Sequence, residues 1–177
     1  MKNSKLNYIT KIGVLSAIAI ILYYLEFPIL PAFPWLMIDF SEIPVLLGGF
    51  ALGPIAGVLI EFIKNILHFA FKGATGGVGE LANFLLGVAF IVPAALIYYR
   101  KKGIKFAVIG MIVGTIFACI MSVILNIYLF IPLYFPTLED VWGYVLAGAV
   151  PVTAIKFLVN GIIVYVLYPR ISKLLHK

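Results

Sequence analysis

Three clusters of basic residues divide this chain into long apolar stretches: Lys2, Lys5 and Lys11; Arg100, Lys101, Lys102 and Lys105; and Arg170, Lys173 and Lys177. They hold ten of the thirteen lysines and arginines, and every acidic residue lies outside them. In a membrane protein such clusters stay on the cytoplasmic side, so an even number of crossings must separate one cluster from the next. Membrane residence follows from composition. Of 177 residues 64% are hydrophobic and only 11% charged, with a mean hydropathy of +1.16, more apolar surface than a soluble core of this size can hide. The length allows a single transmembrane domain, 1–177, and leaves no room for a separate catalytic one. Met-Lys-Asn-Ser-Lys precedes a long apolar run without a small-residue cleavage site, which reads as a retained first helix.

Between Lys105 and Arg170 the even count is met by helices at about 104–131 and 150–169. Between Lys11 and Arg100 two spans are evident, about 9–27 and 80–99, and the stretch 41–72 must cross twice or not at all. As one straight helix it would be about 48 Å long at 1.5 Å per residue, against a hydrocarbon core of about 30 Å. Gly53-Pro54 is a natural break, giving helices at about 41–53 and 54–72, the first too short to span unless tilted or packed against its neighbours. The sequence thus predicts an all-α integral membrane protein, one bundle of six transmembrane helices with both termini cytoplasmic. Its outer connections are Pro28 to Asp39, the glycine-rich Lys72 to Gly79, and Pro132 to Tyr144.

This topology gathers the polar residues of the apolar segments at one depth, near the outer surface. Lys156 is the only charge between Val141 and Pro169. An ammonium there costs about 2.5 to 3.5 kcal/mol even on lenient insertion scales, so it must face protein, water or a ligand. Thr153 and Asn160 share its helical face. Asn126 ends the fifth helix on the same side, Glu80 and Asn83 begin the fourth, and Lys64, Asn65 and His68 occupy the outer half of the third. A polar solute captured from outside is the simplest reading.

Plainer explanations stand beside it. Lys156 can snorkel, or pair with Glu80 or Glu139 to hold helices together. Asn126 can be a hydrogen bond between helices. Glu61 and Lys64, three apart, suit an ion pair with His68 as a structural partner. The glycine-rich stretch has Glu80 where a phosphate-binding loop has lysine, and no strand precedes it, so it reads as a flexible turn. Phe33, Trp35, Phe40, Tyr134, Trp142 and Tyr144 fit an interfacial aromatic belt or the walls around a flat ligand. Enzyme motifs are missing, only two histidines are present, and the single Cys119 excludes a disulfide framework or a cysteine metal site. A membrane enzyme acting on a lipid-like substrate through Glu61, His68 or Lys156 is the rival class, and a channel a third, without filter repeats or charge rings.

The run Ile38-Asp-Phe-Ser-Glu-Ile-Pro-Val-Leu-Leu-Gly-Gly-Phe-Ala-Leu-Gly-Pro54 is followed by Ile63-Lys-Asn-Ile-Leu-His68, Thr75-Gly-Gly-Val-Gly-Glu-Leu-Ala-Asn-Phe84, Leu125-Asn126, Ile131-Pro-Leu-Tyr134 and Val150-Pro151 with Lys156. In that order they resemble the riboflavin-binding S components of energy-coupling factor (ECF) transporters. The resemblance implies a six-helix protein that takes up riboflavin at its outer face as a transported ligand. It also implies partners, a transmembrane T component and two ATP-binding-cassette ATPases, with no catalytic residues, metal or cofactor in this chain. It places flavin contacts at Met37, Ile38, Asp39, Glu80, Asn83, Asn126, Thr153 and Lys156, with Lys64, His68 and Asn160 as further candidates. Where the family pattern has Pro-x-Asn-x-x-Lys, this chain has Pro151, Thr153 and Lys156, a hydroxyl in place of an amide. One lysine would tolerate the phosphate of FMN without being there for it. Another vitamin satisfies the same bottom-up chemistry. Gly13 and Ala17, small and four apart on the first helix, let another helix approach closely, either within the bundle or, as the resemblance implies, from the T component.

Overall fold

The computed structural model describes residues 2–73 and 76–175, with side chains over 5–73 and 76–169. Ala74 and Thr75 of the glycine-rich stretch and Lys177 of the third basic cluster lie outside the described residues, as do the side chains of Lys2, Arg170 and Lys173. Six helices follow one another among the described residues: α1 (Lys2–Tyr23), α2 (Glu42–Leu52), α3 (Pro54–Phe71), α4 (Val78–Arg100), α5 (Ile104–Tyr134) and α6, which starts at Val141 and ends at Leu175. All but α2 are long and apolar enough to cross a membrane.

Glycine and proline make the break between α2 and α3. Gly53 sits at φ +100°, a conformation that side chains resist, and Pro54 begins the next helix where its missing N–H is not needed. The 11-residue α2 is about 16 Å long at 1.5 Å per residue. Burial compensates for its shortness: Val45, Leu46, Leu47, Gly48, Gly49 and Phe50 are all buried, and α2 touches α1, α3, α4 and α6. A Cβ on Gly49 or Gly57 would lie 2.7 or 2.6 Å from Ile91, so these glycines let α2, α3 and α4 meet. Gly110 and Gly114 do the same for α5 against the α4 backbone at Ala94 and Phe90.

Several boundaries differ from the sequence reading. The first helix ends at Tyr23 instead of running to residue 27, and the segment after it forms a small antiparallel hairpin, β1 (Phe27–Pro28) pairing with β2 (Met37–Ile38). The connection expected from Pro132 to Tyr144 shrinks to residues 135–140, because the fifth helix runs on through Pro132 and the sixth begins at Val141, well before Pro151. Each proline sits just after a wide π turn, Asn126–Phe130 before Ile131-Pro132 and Val145–Ala149 before Val150-Pro151. The Ile131 and Val150 amides reach back five residues, to the Asn126 and Val145 carbonyls. Widening the turn accommodates a ring that would collide with an ordinary α-helical carbonyl.

The hairpin, the start of α2, the end of α3, the start of α4 and the π turns of α5 and α6 share one end of the bundle, tied by side-chain contacts described below. The turns at Gly53 and at Lys101–Gly103 occupy the other. There Tyr98 and Tyr168 meet hydroxyl to hydroxyl at 2.7 Å, beside the second basic cluster.

Candidate functional site

The two π turns pack against each other at the hairpin end and help line a cavity of about 400 Å³, a size typical of small-molecule sites. Its walls are mainly aromatic and aliphatic: Tyr23 from α1, Trp35, Leu36 and Met37 from the hairpin, Leu86 from α4, Phe130 and Tyr134 from α5, and Tyr144, Val152 and Phe157 from α6. The hairpin loop is fastened over it by an aromatic cluster. Phe33 meets Tyr144 edge-on at 5.4 Å, Trp35 lies 5.2 Å from Phe135, and the Trp35 indole donates to the Tyr144 hydroxyl at 3.3 Å.

Polar groups converge on this apolar chamber from four helices and the hairpin. On α5, the Asn126 amide nitrogen donates back to the Ser122 carbonyl at 2.7 Å and lies 3.3 Å from the Ser122 hydroxyl. Thr153 on α6 donates to Ala149 O at 2.8 Å and meets Ser122 Oγ at 3.1 Å. Asn83 on α4 has a carbonyl oxygen without a hydrogen-bond partner among the described residues. A second group lies toward α1 and α3: His68 Nδ1 sits 2.9 Å from Glu80, its ring stacks on Tyr23 at 3.8 Å, and Lys72 pairs with Glu26 at 2.6 Å.

Lys156, 7% exposed, donates to Asp39 Oδ2 at 2.9 Å, and Glu42 lies 3.6 Å away. The sequence reading offered Glu80 or Glu139 as its partner; the hairpin supplies Asp39 instead. Burial pushes the Asp39 carboxyl up, but the nearby Lys156 and Lys64 ammonium groups and a hydrogen bond from Ser41 bring it down to about 2. Asn160 donates to the Asp39 backbone carbonyl at 2.8 Å, so α6 holds this residue at both its main chain and its side chain.

Of the candidate contacts, Met37, Asp39, Glu80, Asn83, Asn126, Thr153, Lys156 and His68 line the cavity. Ile38, Lys64 and Asn160 do not. Ile38 alternates with Met37 along β2 and points into the protein, 5% exposed. Lys64 is fully buried beneath the chamber, held by Ser41 at 2.8 Å, Glu42 at 2.6 Å and Glu61 at 2.8 Å. The Glu61–Lys64 pair read from spacing is present, with Glu42 as an added partner. Gly13 and Ala17 are exposed on α1, and a Cβ on Gly13 would meet nothing within 4 Å; Ser16 beside them faces inward.

Sequence reasoning passed over Tyr23, Glu26, Lys72 and Ser122 as lining residues. Ser122 lies one helical turn before Asn126, so the spacing that placed Thr153 beside Lys156 would have found it. Glu26 and Lys72 are 46 residues apart, and no local pattern joins them.

A family model for the substrate-specific component of ECF transporters matches residues 7–168. The chain is 37% identical over 172 residues to the riboflavin transporter RibU of Staphylococcus aureus (strain TCH60), covering 94% of this chain and 90% of that protein. It is 35% identical over 111 residues to the riboflavin transporter FmnP of Bacillus subtilis (strain 168), 61% of this chain and 58% of that one. A solved S component of a bacterial ECF transporter superposes with a TM-score of 0.83 at 35% identity, covering 98% of this chain and 99% of that one. ThiT from Listeria monocytogenes has the same fold, with a TM-score of 0.73 at 18% identity.

Proposed function

Because this chain belongs to the family of ECF transporter substrate-specific components, we propose that it is the membrane subunit that captures riboflavin and passes it inward with the help of a T component and two ATPases. Riboflavin is the substrate named for relatives at 35 to 37% identity. The observation that carries the reading is the cavity itself, which joins aromatic walls to the side-chain amides of Asn83 and Asn126, the Asn83 carbonyl oxygen having no hydrogen-bond partner among the described residues. Riboflavin has a flat ring with apolar faces, an edge that both donates and accepts hydrogen bonds, and a polyhydroxyl chain. Aromatic and aliphatic walls suit the faces. The amides and the Thr153 hydroxyl suit the polar edge, and Lys156, with three N–H donors and Asp39 taking one, has donors left for carbonyl or hydroxyl oxygens.

No bond is made or broken in this process, and ATP hydrolysis belongs to the partners. The cavity lies at the end of the bundle away from Arg100, Lys101, Lys102 and Lys105, and the positive-inside bias sets that basic end in the cytoplasm. The chamber then faces outward. Closure of the hairpin loop through Trp35 and Phe33 onto Tyr144 shields the ligand after entry. The exposed Gly13 and Ala17 offer the T component a face that a second helix can approach closely.

Purifying the protein from its expression host and reading its absorbance tests the proposal. A flavin spectrum at near one flavin per chain supports it. Flavin-free protein that fails to quench added riboflavin fluorescence, while binding another vitamin, overturns it.

A further inference from the structure

A second concavity lies on the outside of the bundle, a groove of about 630 Å³ between α5 and α6 that shares only Phe157 with the cavity described above. It runs from Ile104 and Tyr165 at the basic end to Thr115 and Phe157 near mid-bundle. From Lys105 to Thr115 the rise is about 15 Å at 1.5 Å per residue, which is half of a hydrocarbon core of about 30 Å. The groove therefore has the depth of one leaflet. Its floor is dry: Thr115 donates its hydroxyl to the Met111 carbonyl at 2.9 Å, and Gly161 leaves a notch whose nearest neighbour to an added Cβ is Met111 sulfur at 3.4 Å.

The charge at its mouth identifies the occupant. Lys105 lines the groove, and Arg100, Lys101 and Lys102 precede it in the adjoining turn. Among the described residues none of these four pairs with a carboxylate, and the acidic side chains that form ion pairs lie at mid-bundle, as Glu61 does, or at the hairpin end. Unpaired cations at the surface of a membrane attract anionic headgroups. A partner helix fits less well. Helices approach one another in membranes over small residues, whereas the rim here is Ile104, Ile109, Ile112, Leu158 and Ile162, bulky and branched around one glycine. A flexible acyl chain can lie between such side chains.

We propose that the α5–α6 groove binds an anionic phospholipid, one acyl chain lying over Gly161 and Met111 and the headgroup phosphate on the Lys105 cluster. The test is native mass spectrometry of delipidated protein in detergent, titrated with phosphatidylglycerol or with phosphatidylcholine. A one-to-one phosphatidylglycerol adduct at least tenfold tighter than the phosphatidylcholine adduct is expected. Gly161→Leu fills the notch and should weaken both lipids about tenfold; Lys105→Glu should abolish the preference for phosphatidylglycerol while phosphatidylcholine still binds. Ile112→Trp, an exposed position on the rim, replaces Gly161→Leu if that variant does not fold. Riboflavin titration of each variant should match wild type, which separates this inference from the vitamin assignment. Equal adducts for the two lipids, or lipid retention unchanged in the groove-filling variants, overturns the proposal. So does loss of T-component assembly with lipid retention intact, which would make the groove a helix interface.

Discussion

The Lys156 ammonium and the Asp39 carboxylate meet at 2.9 Å across 117 residues of sequence, joining the wall of α6 to the strand that leads out of the hairpin. With Asn160 holding the Asp39 carbonyl, this contact fixes where the hairpin ends its course over the cavity. It also removes the isolation that made Lys156 conspicuous in the sequence.

Lys156→Met should therefore do two things at once. It removes a donor facing the cavity, weakening riboflavin binding about ten- to a hundredfold, as loss of a charged hydrogen bond of about 1.5 to 3 kcal/mol implies. It also leaves Asp39 buried without its partner, which costs about 3 to 5 kcal/mol. The double variant Lys156→Met/Asp39→Asn should recover the melting temperature and not the affinity. Fluorescence-quenching titrations beside ligand-free thermal melts read the two effects separately. A single variant as stable as wild type would mean that the pair does not hold the hairpin.

The Asp39 carboxyl, held at about 2 against an ordinary 3.8, makes the same contact visible as a pH effect. A depressed folded value stabilises the protein above the unfolded value and loses that stabilisation as pH falls through the folded one. The expected loss is on the order of 2 kcal/mol, developing between about pH 4 and pH 2. Thermal melts of wild type in detergent should drop across that window, and Asp39→Asn should drop less. Parallel curves for the two would remove Asp39 from the account.

The fold was legible wherever one residue type had one physical consequence. Basic clusters, apolar runs and Gly53-Pro54 together specified six helices and the break between α2 and α3. The π turns were not legible, because Pro132 and Pro151 look like helix ends unless the wider turn before each is already known. The site was legible as a list of polar residues at one depth and not as a set of partnerships. Lys64 and Lys156 look alike in sequence, each a lysine in an apolar helix. Only packing separates them: Lys64 lies beneath the chamber among Ser41, Glu42 and Glu61, and Lys156 stands in its wall.

Gly148, on the second π turn, is where the hairpin loop rests on α6. A Cβ there would come within 2.9 Å of the Phe33 ring and 3.2 Å of Leu36. Gly148→Val should displace the loop at an overpacking cost of about 1 to 3 kcal/mol. If the loop retains the ligand, stopped-flow measurements will show faster riboflavin release, with the association rate changed little. An unaltered release rate would mean that the loop does not gate the cavity.

Orientation can be read with cysteines. In a Cys119→Ser background, Glu139→Cys in the connection near the cavity should react with an impermeant thiol reagent on intact cells. Lys102→Cys, in the basic turn at the other end, should react only after lysis. Both side chains are exposed, so failure to label reports side and not burial. The reverse pattern would place the chamber on the cytoplasmic side and refute capture from outside.

The last expectation concerns α1, where Gly13 and Ala17 are exposed while Ser16, between them, is 2% exposed and faces the core. Because open space lies beyond Gly13, a large side chain there should not disturb the bundle, and the cavity is lined from α1 only near its other end, by Tyr23. Gly13→Leu and Ala17→Trp should leave riboflavin affinity and melting temperature near wild type. If this stripe receives the T component, the same variants will lose co-purification with it and lose uptake, since a helix cannot approach closely over a bulky residue. Assembly that survives both substitutions would place the partner on another face of the bundle. Binding and assembly lost together would instead mean that the two residues support the fold.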